Sequence, residues 1–403
     1  MSLRNRLARE SPRRLRKSIV AMGALLSIGL VSASCTVAAS SAGGADAPPP
    51  EPVAVSLTTS VPDGEVGVSP LENITVTAAD GTLTGVTMTN PKGVAVTGDL
   101  SADKLTWTSN QTLGYGTTYT VETKARGEAG AVTEQTDFTT LKPKNQTLAA
   151  MLPSGGATVG VGQPAVVIFD EPITDRQAAQ DAITITADPP VEGAFYWMSN
   201  VQLHWRPEAY WAPGTQVRID VNTYGKDLGN GLYGQEDNYA TFNIGDEVIA
   251  VADDSTKMIN ISVNGNVVKS MPTSMGKSKF ATPNGTYIIA ERHESMIMDS
   301  STYGLAIDSP DGYKTPVNWA TRMSYSGIFV HSAPWSMWAQ GNTNTSHGCL
   351  NVSPADAQWF YNNTKRGDIT MVKNTVGETL AGTDGLGDWN IPWSTWKAGN
   401  ASA

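Results

Sequence analysis

The chain's 403 residues are too many for one small domain and leave ample length for two to four with sizeable cores. A formal net charge of −10, with no basic patch interleaved with aromatics, argues against a nucleic-acid partner.

The N-terminus carries Arg4, Arg6, Arg9, Arg13, Arg14, Arg16 and Lys17 ahead of an uncharged apolar run at 18–31. That is the pattern of an export signal, with an apolar part too short for a membrane span. Residues 32–34 are small and directly precede Cys35. They resemble the lipobox at which bacterial lipoproteins are cleaved and acylated, with Ser32 where an aliphatic residue is commoner; an ordinary signal peptide is the plainer alternative. Residues 1–35 are read as a signal with Cys35 as the lipidation site. The expected location is extracytoplasmic, in the cell wall or periplasmic space, with a lipid anchor in the membrane. Losing residues 1–34 removes seven cations and Glu10, taking the net charge from −10 to −16. Residues 36–54, small and proline-rich, cannot bury a core and read as a disordered tether.

Residues 55–245 hold short runs of Val, Thr, Ile and aromatics broken by Gly, Pro, Asn and Asp, with no long amphipathic helix. This predicts β-sandwiches. Segments 105–110 (LTWTSN) and 113–121 recur as 195–200 (FYWMSN) and 210–219, each copy closing on a Thr/Phe strand. The repeat divides the region into two Ig-like domains, 55–142 and 143–245. Trp107, Trp197, Trp205 and Trp211 suit either a sugar-stacking surface or core packing, and packing is the simpler reading. His204 sits in an alternating strand and is given no catalytic role.

From 246 the strand rhythm continues with longer loops. Runs at 248–252, 258–263, 267–272, 285–290 and 327–331 read as strands, and Asn264, Gly265 and Asn266 as a hairpin turn. A helix is predicted at 353–365, with Ser353 as cap, Pro354 in the first turn, and Trp359 and Phe360 on its apolar face. A last strand at 369–372 closes a domain spanning 246–373. Residues 374–403 are glycine-rich, and Trp389, Trp393 and Trp396 are expected to pin this extension onto that domain.

Residues 331–351 (HSAPWSMWAQGNTNTSHGCLN) carry two of the four histidines and the one cysteine left once Cys35 is in a lipid linkage. A lone thiol in an exported protein is a candidate reactive group. Three readings compete for His331, His347 and Cys349. A zinc site lacks a fourth ligand and any CxxC or HxxxH spacing, so no metal is expected. A plain core segment is poorly matched by a run as polar and glycine-rich as 346–349. A nucleophile pair fits best: Cys349 as thiolate, His331 as base closing the apolar strand at 326–330, and Gly348 permitting a tight turn whose N–H groups face an oxyanion.

The motif at 346–351 (SHGCLN), with 331–335 (HSAPW) starting eighteen residues before the cysteine, resembles the signature of the L,D-transpeptidases, the YkuD-type catalytic domain. Segments 296–304, 311–313, 324–330 and 388–396 are similar to the mycobacterial-type enzymes with two Ig-like domains ahead of the catalytic one. The resemblance implies a mainly β protein: two Ig-like β-sandwiches, a β-rich catalytic domain with a short helix, and a Trp-bearing extension. It implies a cysteine acyltransferase with no cofactor, acting on peptidoglycan stem peptides and inactivated by carbapenems. In such a reaction the thiolate attacks a donor tetrapeptide at the diaminopimelate L-centre carbonyl and releases D-Ala. A neighbouring diaminopimelate amine then resolves the thioester as a 3-3 cross-link. Residue by residue, it assigns Cys349 as nucleophile, His331 as base and the Ser332 carbonyl as its orienter. The N–H groups of His347, Gly348 and Cys349 become oxyanion donors. Tyr313 matches a flap tyrosine, and Met298, Tyr303, Ser326, Trp335, Thr345, Ser346 and Asn351 match the lining of the donor and acceptor grooves. Met337 and Trp338 are bulkier than the family pattern, so 337–345 leaves acceptor preference open. Two rivals stand beside this reading: an L,D-carboxypeptidase, in which water resolves the thioester, and a non-catalytic wall-binding protein.

Overall fold

Alternating burial runs through both N-terminal repeats, as in Thr118–Gly127, where Tyr119, Val121, Thr123 and Ala125 point inward. A strand with period-two burial has one apolar face, so its sheet needs a partner layer. The computed structural model describes residues 51–402; the export signal, Cys35 and most of the tether lie outside the described residues. In the first repeat a five-stranded sheet packs on a four-stranded one, with Ile74, Trp107, Tyr119 and Phe138 between them. In the second, two four-stranded sheets close on Phe169, Trp197, Trp205, Trp211 and Phe242. Trp107, Trp197, Trp205 and Trp211 are thus core residues, none more than 7% exposed. One short helix, Arg176–Asp181, was not legible in the sequence; Asp175 caps it by accepting from the Ala178 N–H. The repeats meet at Tyr115, whose hydroxyl donates to the Gly234 carbonyl (2.8 Å) and accepts from the Gly225 N–H (2.6 Å).

The third domain holds a five-stranded sheet and a four-stranded sheet. Strands Val248–Asp253, Met258–Val263, Asn266–Pro272, Gly285–Ile288 and Ile369–Lys373 build the first. The helix is Pro354–Asn363, with Ser353 accepting from the Asp356 N–H and Ala357 and Phe360 facing inward. The second sheet was only partly anticipated. It starts with a long flap hairpin, Arg292–Asp299 against Lys314–Arg322, and continues through Phe329–Ser332 to Leu350–Val352. The expected strand at 326–330 begins only at Phe329. Gly327 sits at φ +100 and the Ile328 N–H is held by Ser324 Oγ at 3.0 Å, so residues 324–327 form a turn.

The C-terminal extension packs on the third domain, with Leu380 in its core and Leu386 against Ile288 and Ile369, and reaches beyond it to the second sandwich, which the sequence did not anticipate. Arg206 of that sandwich is buried, and a buried guanidinium needs partners. The extension supplies them: the rings of Trp389 and Trp396 lie 4.5 and 4.3 Å from its carbon, and the Ile391 carbonyl accepts at 2.9 Å. Asp388 pairs with His204 at 2.6 Å, and Trp396 Nε1 donates to the Ala194 carbonyl at 2.8 Å. Toward the third domain, Asn390 accepts from the Thr286 N–H at 2.7 Å, and Asp384 accepts from the Tyr325 and Ser326 N–H groups, each at 2.9 Å. The extension is a strap across two domains. Trp396→Ala should therefore cost about 3–5 kcal/mol of unfolding free energy, measured by denaturant titration; a loss under about 1 kcal/mol would show that the strap adds little to the fold.

Candidate active site

Strands Phe329–Ser332 and Leu350–Val352 pair in parallel, Val330 opposite Leu350 and His331 opposite Asn351. Parallel neighbours need a crossover, and 333–349 supplies it. The register brings the sulfur, immediately ahead of Leu350, to the level of Phe329, under the same cavity as His331.

The turn before the sulfur is built by its sequence. Gly348 has φ +124, and a Cβ there would sit 2.8 Å from Ile328 Cδ1, so a side chain would meet both backbone strain and a neighbour. Ser346 Oγ donates to the Cys349 carbonyl (2.6 Å) and accepts from the Gly348 N–H (3.1 Å). That second bond corrects the expectation of three oxyanion donors. The Gly348 amide is already engaged, whereas the amides of His347 and Cys349 have no acceptor among the described residues.

His331 Nδ1 lies 2.9 Å from the Ser332 carbonyl. A carbonyl only accepts, so Nδ1 carries the proton and Nε2 is left as the basic nitrogen. Burial holds the imidazole down to about 4, the Ser332 bond offsetting part of the effect. Burial also pushes the Cys349 thiol up to about 11, opposed by a backbone hydrogen bond from Phe329 and by the charge of Arg322. The thiol donates to the Gly327 carbonyl at 3.6 Å. Both shifts favour neutral thiol and neutral imidazole over thiolate and imidazolium.

The cavity over this pair has a volume of about 260 Å³. Met298 and Tyr313 line its flap side, together with Thr315 and Val317. Met298 and Thr315 are cross-strand partners, and 313, 315 and 317 share a face by strand alternation. Opposite stand Trp335, Ser336 and Trp338, while Thr345, Ser346, His347 and Asn351 complete the wall. Thr315, Val317 and Ser336 were not picked out from the sequence, whereas Trp338 was singled out there only for its bulk; the alternation after Tyr313 was the available signal for the first two. Tyr303 and Ser326, expected in the groove, do not line the cavity. Tyr303 is exposed on the flap turn with its ring 6.2 Å from that of Tyr313. Ser326 lies in the turn behind the sulfur, its Oγ 2.9 Å from Ser324 Oγ and its N–H on the strap's Asp384.

Two polar features complete the geometry. Asn351 Nδ2 donates to Ser336 Oγ at 3.1 Å, while its buried Oδ1 has no partner. His347 stacks between Phe280 (4.8 Å) and Tyr313 (5.0 Å), with Nε2 4.0 Å from Asp311. Burial, then the charge of Lys277, lowers its affinity for a proton. Asp311 accepts from Lys277 at 2.7 Å and Lys279 at 2.6 Å, which hold its carboxyl at about 2 and tie the flap to the segment under the cysteine turn. Burial raises the Tyr313 hydroxyl above its usual value. No cluster of three His, Cys, Asp or Glu side chains suited to a metal ion occurs among the described residues.

Two Ig-like sandwiches ahead of a β domain with one thiol–imidazole cavity under a flap define a modular protein whose chemistry resides in its last domain. Comparison with known proteins agrees. The pattern of the bacterial Ig domain matches residues 65–227, and that of the L,D-transpeptidase catalytic domain matches residues 247–373. L,D-transpeptidase 2 of Mycobacterium tuberculosis (strain CDC 1551 / Oshkosh) is 58% identical over 347 residues, 86% of this chain and 85% of the relative. L,D-transpeptidase 5 of Mycobacterium tuberculosis (strain ATCC 25618 / H37Rv) is 34% identical over 362 residues, 88% of this chain and 78% of the relative. A solved structure of the LD transpeptidase LdtMt1 in complex with imipenem is similar with a TM-score of 0.51 at 37% identity, covering 57% of this chain and 100% of that one. The chain belongs to the L,D-transpeptidase family.

A neutral resting pair has a direct signature. The rate at which iodoacetamide alkylates Cys349 should keep rising with pH beyond neutrality, following thiolate formation toward about 11. A rate already level below neutral pH would instead reveal a preformed thiolate–imidazolium pair.

Proposed function

We propose that this L,D-transpeptidase is a cysteine acyltransferase that forms 3-3 cross-links between peptidoglycan stem peptides borne on the glycan strands of the wall. The observation that carries the reading is the shared cavity of Cys349 and His331, with His331 Nδ1 committed to the Ser332 carbonyl.

The neutral pair sets the order of events. As Sγ attacks the diaminopimelate L-centre carbonyl of a donor tetrapeptide, its proton passes to His331 Nε2, so no free thiolate has to persist in the buried site. The carbonyl oxygen becomes an oxyanion facing the amides of His347 and Cys349, each such donor contributing about 3 kcal/mol in comparable sites. The tetrahedral adduct collapses, the imidazolium protonates the departing amine, and D-Ala leaves a thioester on Cys349. A diaminopimelate side-chain amine of a second stem then attacks the thioester while His331 takes its proton, and the sulfur is expelled. Asn351 Oδ1, lacking a partner inside the protein, is an acceptor for an N–H of the bound stem. Tyr313 and Met298 close the flap side and keep water from the thioester.

The thiolate that opens a peptide-like carbonyl also opens a strained lactam, and the related LdtMt1 is known in complex with imipenem. Carbapenems are accordingly expected to acylate Cys349. The N-terminal sequence supports export and a lipid anchor at Cys35, with the two Ig-like domains spacing the site from the membrane.

Two measurements test the reaction. Incubation with a disaccharide-tetrapeptide should yield a dimer with loss of D-Ala by mass analysis; tripeptide alone would mean that water resolves the thioester, and neither product would reject the assignment. Intact-mass spectrometry should show a carbapenem adduct on wild type and none on Cys349→Ala, while His331→Ala should slow acylation about a hundred- to ten-thousandfold. A near-normal rate in that variant would remove His331 as the base.

A further inference from the structure

All eleven tryptophans lie among the described residues, and two of them are exposed, Trp335 (51%) and Trp338 (70%). Both stand on one turn at the mouth of the Cys349 cavity, with Met337 (55% exposed) between them. Large apolar side chains held in water at the rim of a cavity mark a ligand surface. Trp338, the more exposed of the two, has no part in the chemistry described above.

The turn presents these side chains from a fixed backbone. Ser336 N–H donates to the Ala333 carbonyl (3.1 Å), Ala339 N–H to the Ser336 carbonyl (2.9 Å), and Gln340 Nε2 to the Ala333 carbonyl (3.1 Å). Ala339 is fully buried beneath it. The backbone that carries the indole of Trp338 is therefore anchored on buried, hydrogen-bonded chain, so little main-chain freedom is lost on binding.

Charge and size select the occupant. Residues 334–343 contain no charged side chain, so this rim offers nothing to pair with the amines and carboxylates of a stem peptide. Its chemistry is two indoles and a thioether flanked by the exposed Asn342 and Thr343. A neutral ring with apolar C–H faces and a hydroxyl and amide periphery matches that mixture. The two indoles flank the opening of the cavity over Cys349, where sugars attached to a stem bound in it come within reach.

We propose that Trp338, with Met337 beside it, is a stacking platform for an N-acetylated sugar ring of the glycan that bears the stem, so that the enzyme selects stems still attached to their strand. This rests on the proposed peptidoglycan reaction.

The test compares a disaccharide-tetrapeptide with the free tetrapeptide, scoring thioester formation by intact mass across a concentration series. Wild type should favour the sugar-bearing donor roughly five- to tenfold in half-saturating concentration, and Trp338→Ala should bring that ratio to near one, with Trp338→Tyr retaining most of it. Equal preference in wild type, or an equal loss for both donors in Trp338→Ala, would reduce Trp338 to a plain pocket wall and overturn the proposal. A second arm uses Cys349→Ala protein and glycan strands stripped of stems. Binding seen by calorimetry that is lost on adding Trp338→Ala supports the platform, and strands that bind both proteins alike overturn it. Failure of wild type to acylate with either donor, with strand binding intact, would reject the reaction and leave the platform standing.

Discussion

The register between Phe329–Ser332 and Leu350–Val352 is the constraint on which the site depends. Neighbouring residues of a strand face opposite sides, so a slip of one position would turn His331 away from Cys349. Burial fixes that register: Val330, Leu350 and Val352 are fully buried in the main core of the third domain, while Phe329 packs with Cys349 and Met298 beneath the flap. Cys349 and His331 make no hydrogen bond to each other in this arrangement. Each is held separately, the thiol on the Gly327 carbonyl and the imidazole on that of Ser332, by strands positioned through apolar packing.

The same burial suppresses charge. Taking a thiol and an imidazole out of water disfavours thiolate and imidazolium alike, so what the site holds fixed is the placement of the two groups. The surrounding polar groups accept that arrangement. Ser346 is satisfied twice within the cysteine turn, which leaves two amides free beside the sulfur, and Asn351 keeps one carbonyl oxygen without a protein partner. Unpaired polar groups are costly in a core, and two of those among the described residues, Asn351 Oδ1 and His347 Nε2, belong to side chains that line the cavity over Cys349.

The strap couples this chemistry to the second sandwich. Its Asp384 holds the turn whose Gly327 carbonyl receives the thiol, and a few residues on, its tryptophans enclose Arg206 while Asp388 pairs with His204. Arg206 and His204 are buried beneath the strap, so it cannot leave without exposing the sandwich's own polar core. The Ig-like domain next to the site is thereby part of its support, whereas the first sandwich attaches through the Tyr115 contacts alone of those described above.

The strand alternation of both sandwiches, the capped helix at Ser353 and the glycine turn ahead of Cys349 were legible in the chain, because each rests on local periodicity or on residue types with few alternative uses. The groove was legible through its motif residues and the unusual bulk of Trp338, and missed Thr315, Val317 and Ser336, whose identities are ordinary for strands and turns. Ser326 was misplaced for the converse reason: it adjoins the motif in sequence, yet a positive-φ glycine turns it toward the strap. The sequence by itself determined the reactive groups, the β architecture and the turn that presents the sulfur. Only the tertiary structure decided which amides stay free, which face of the flap meets the thiol, and that the tail's tryptophans cage an arginine two domains' breadth away in sequence. Those outcomes depend on which distant groups compete for each hydrogen bond and each patch of apolar surface, and no local pattern encodes that competition.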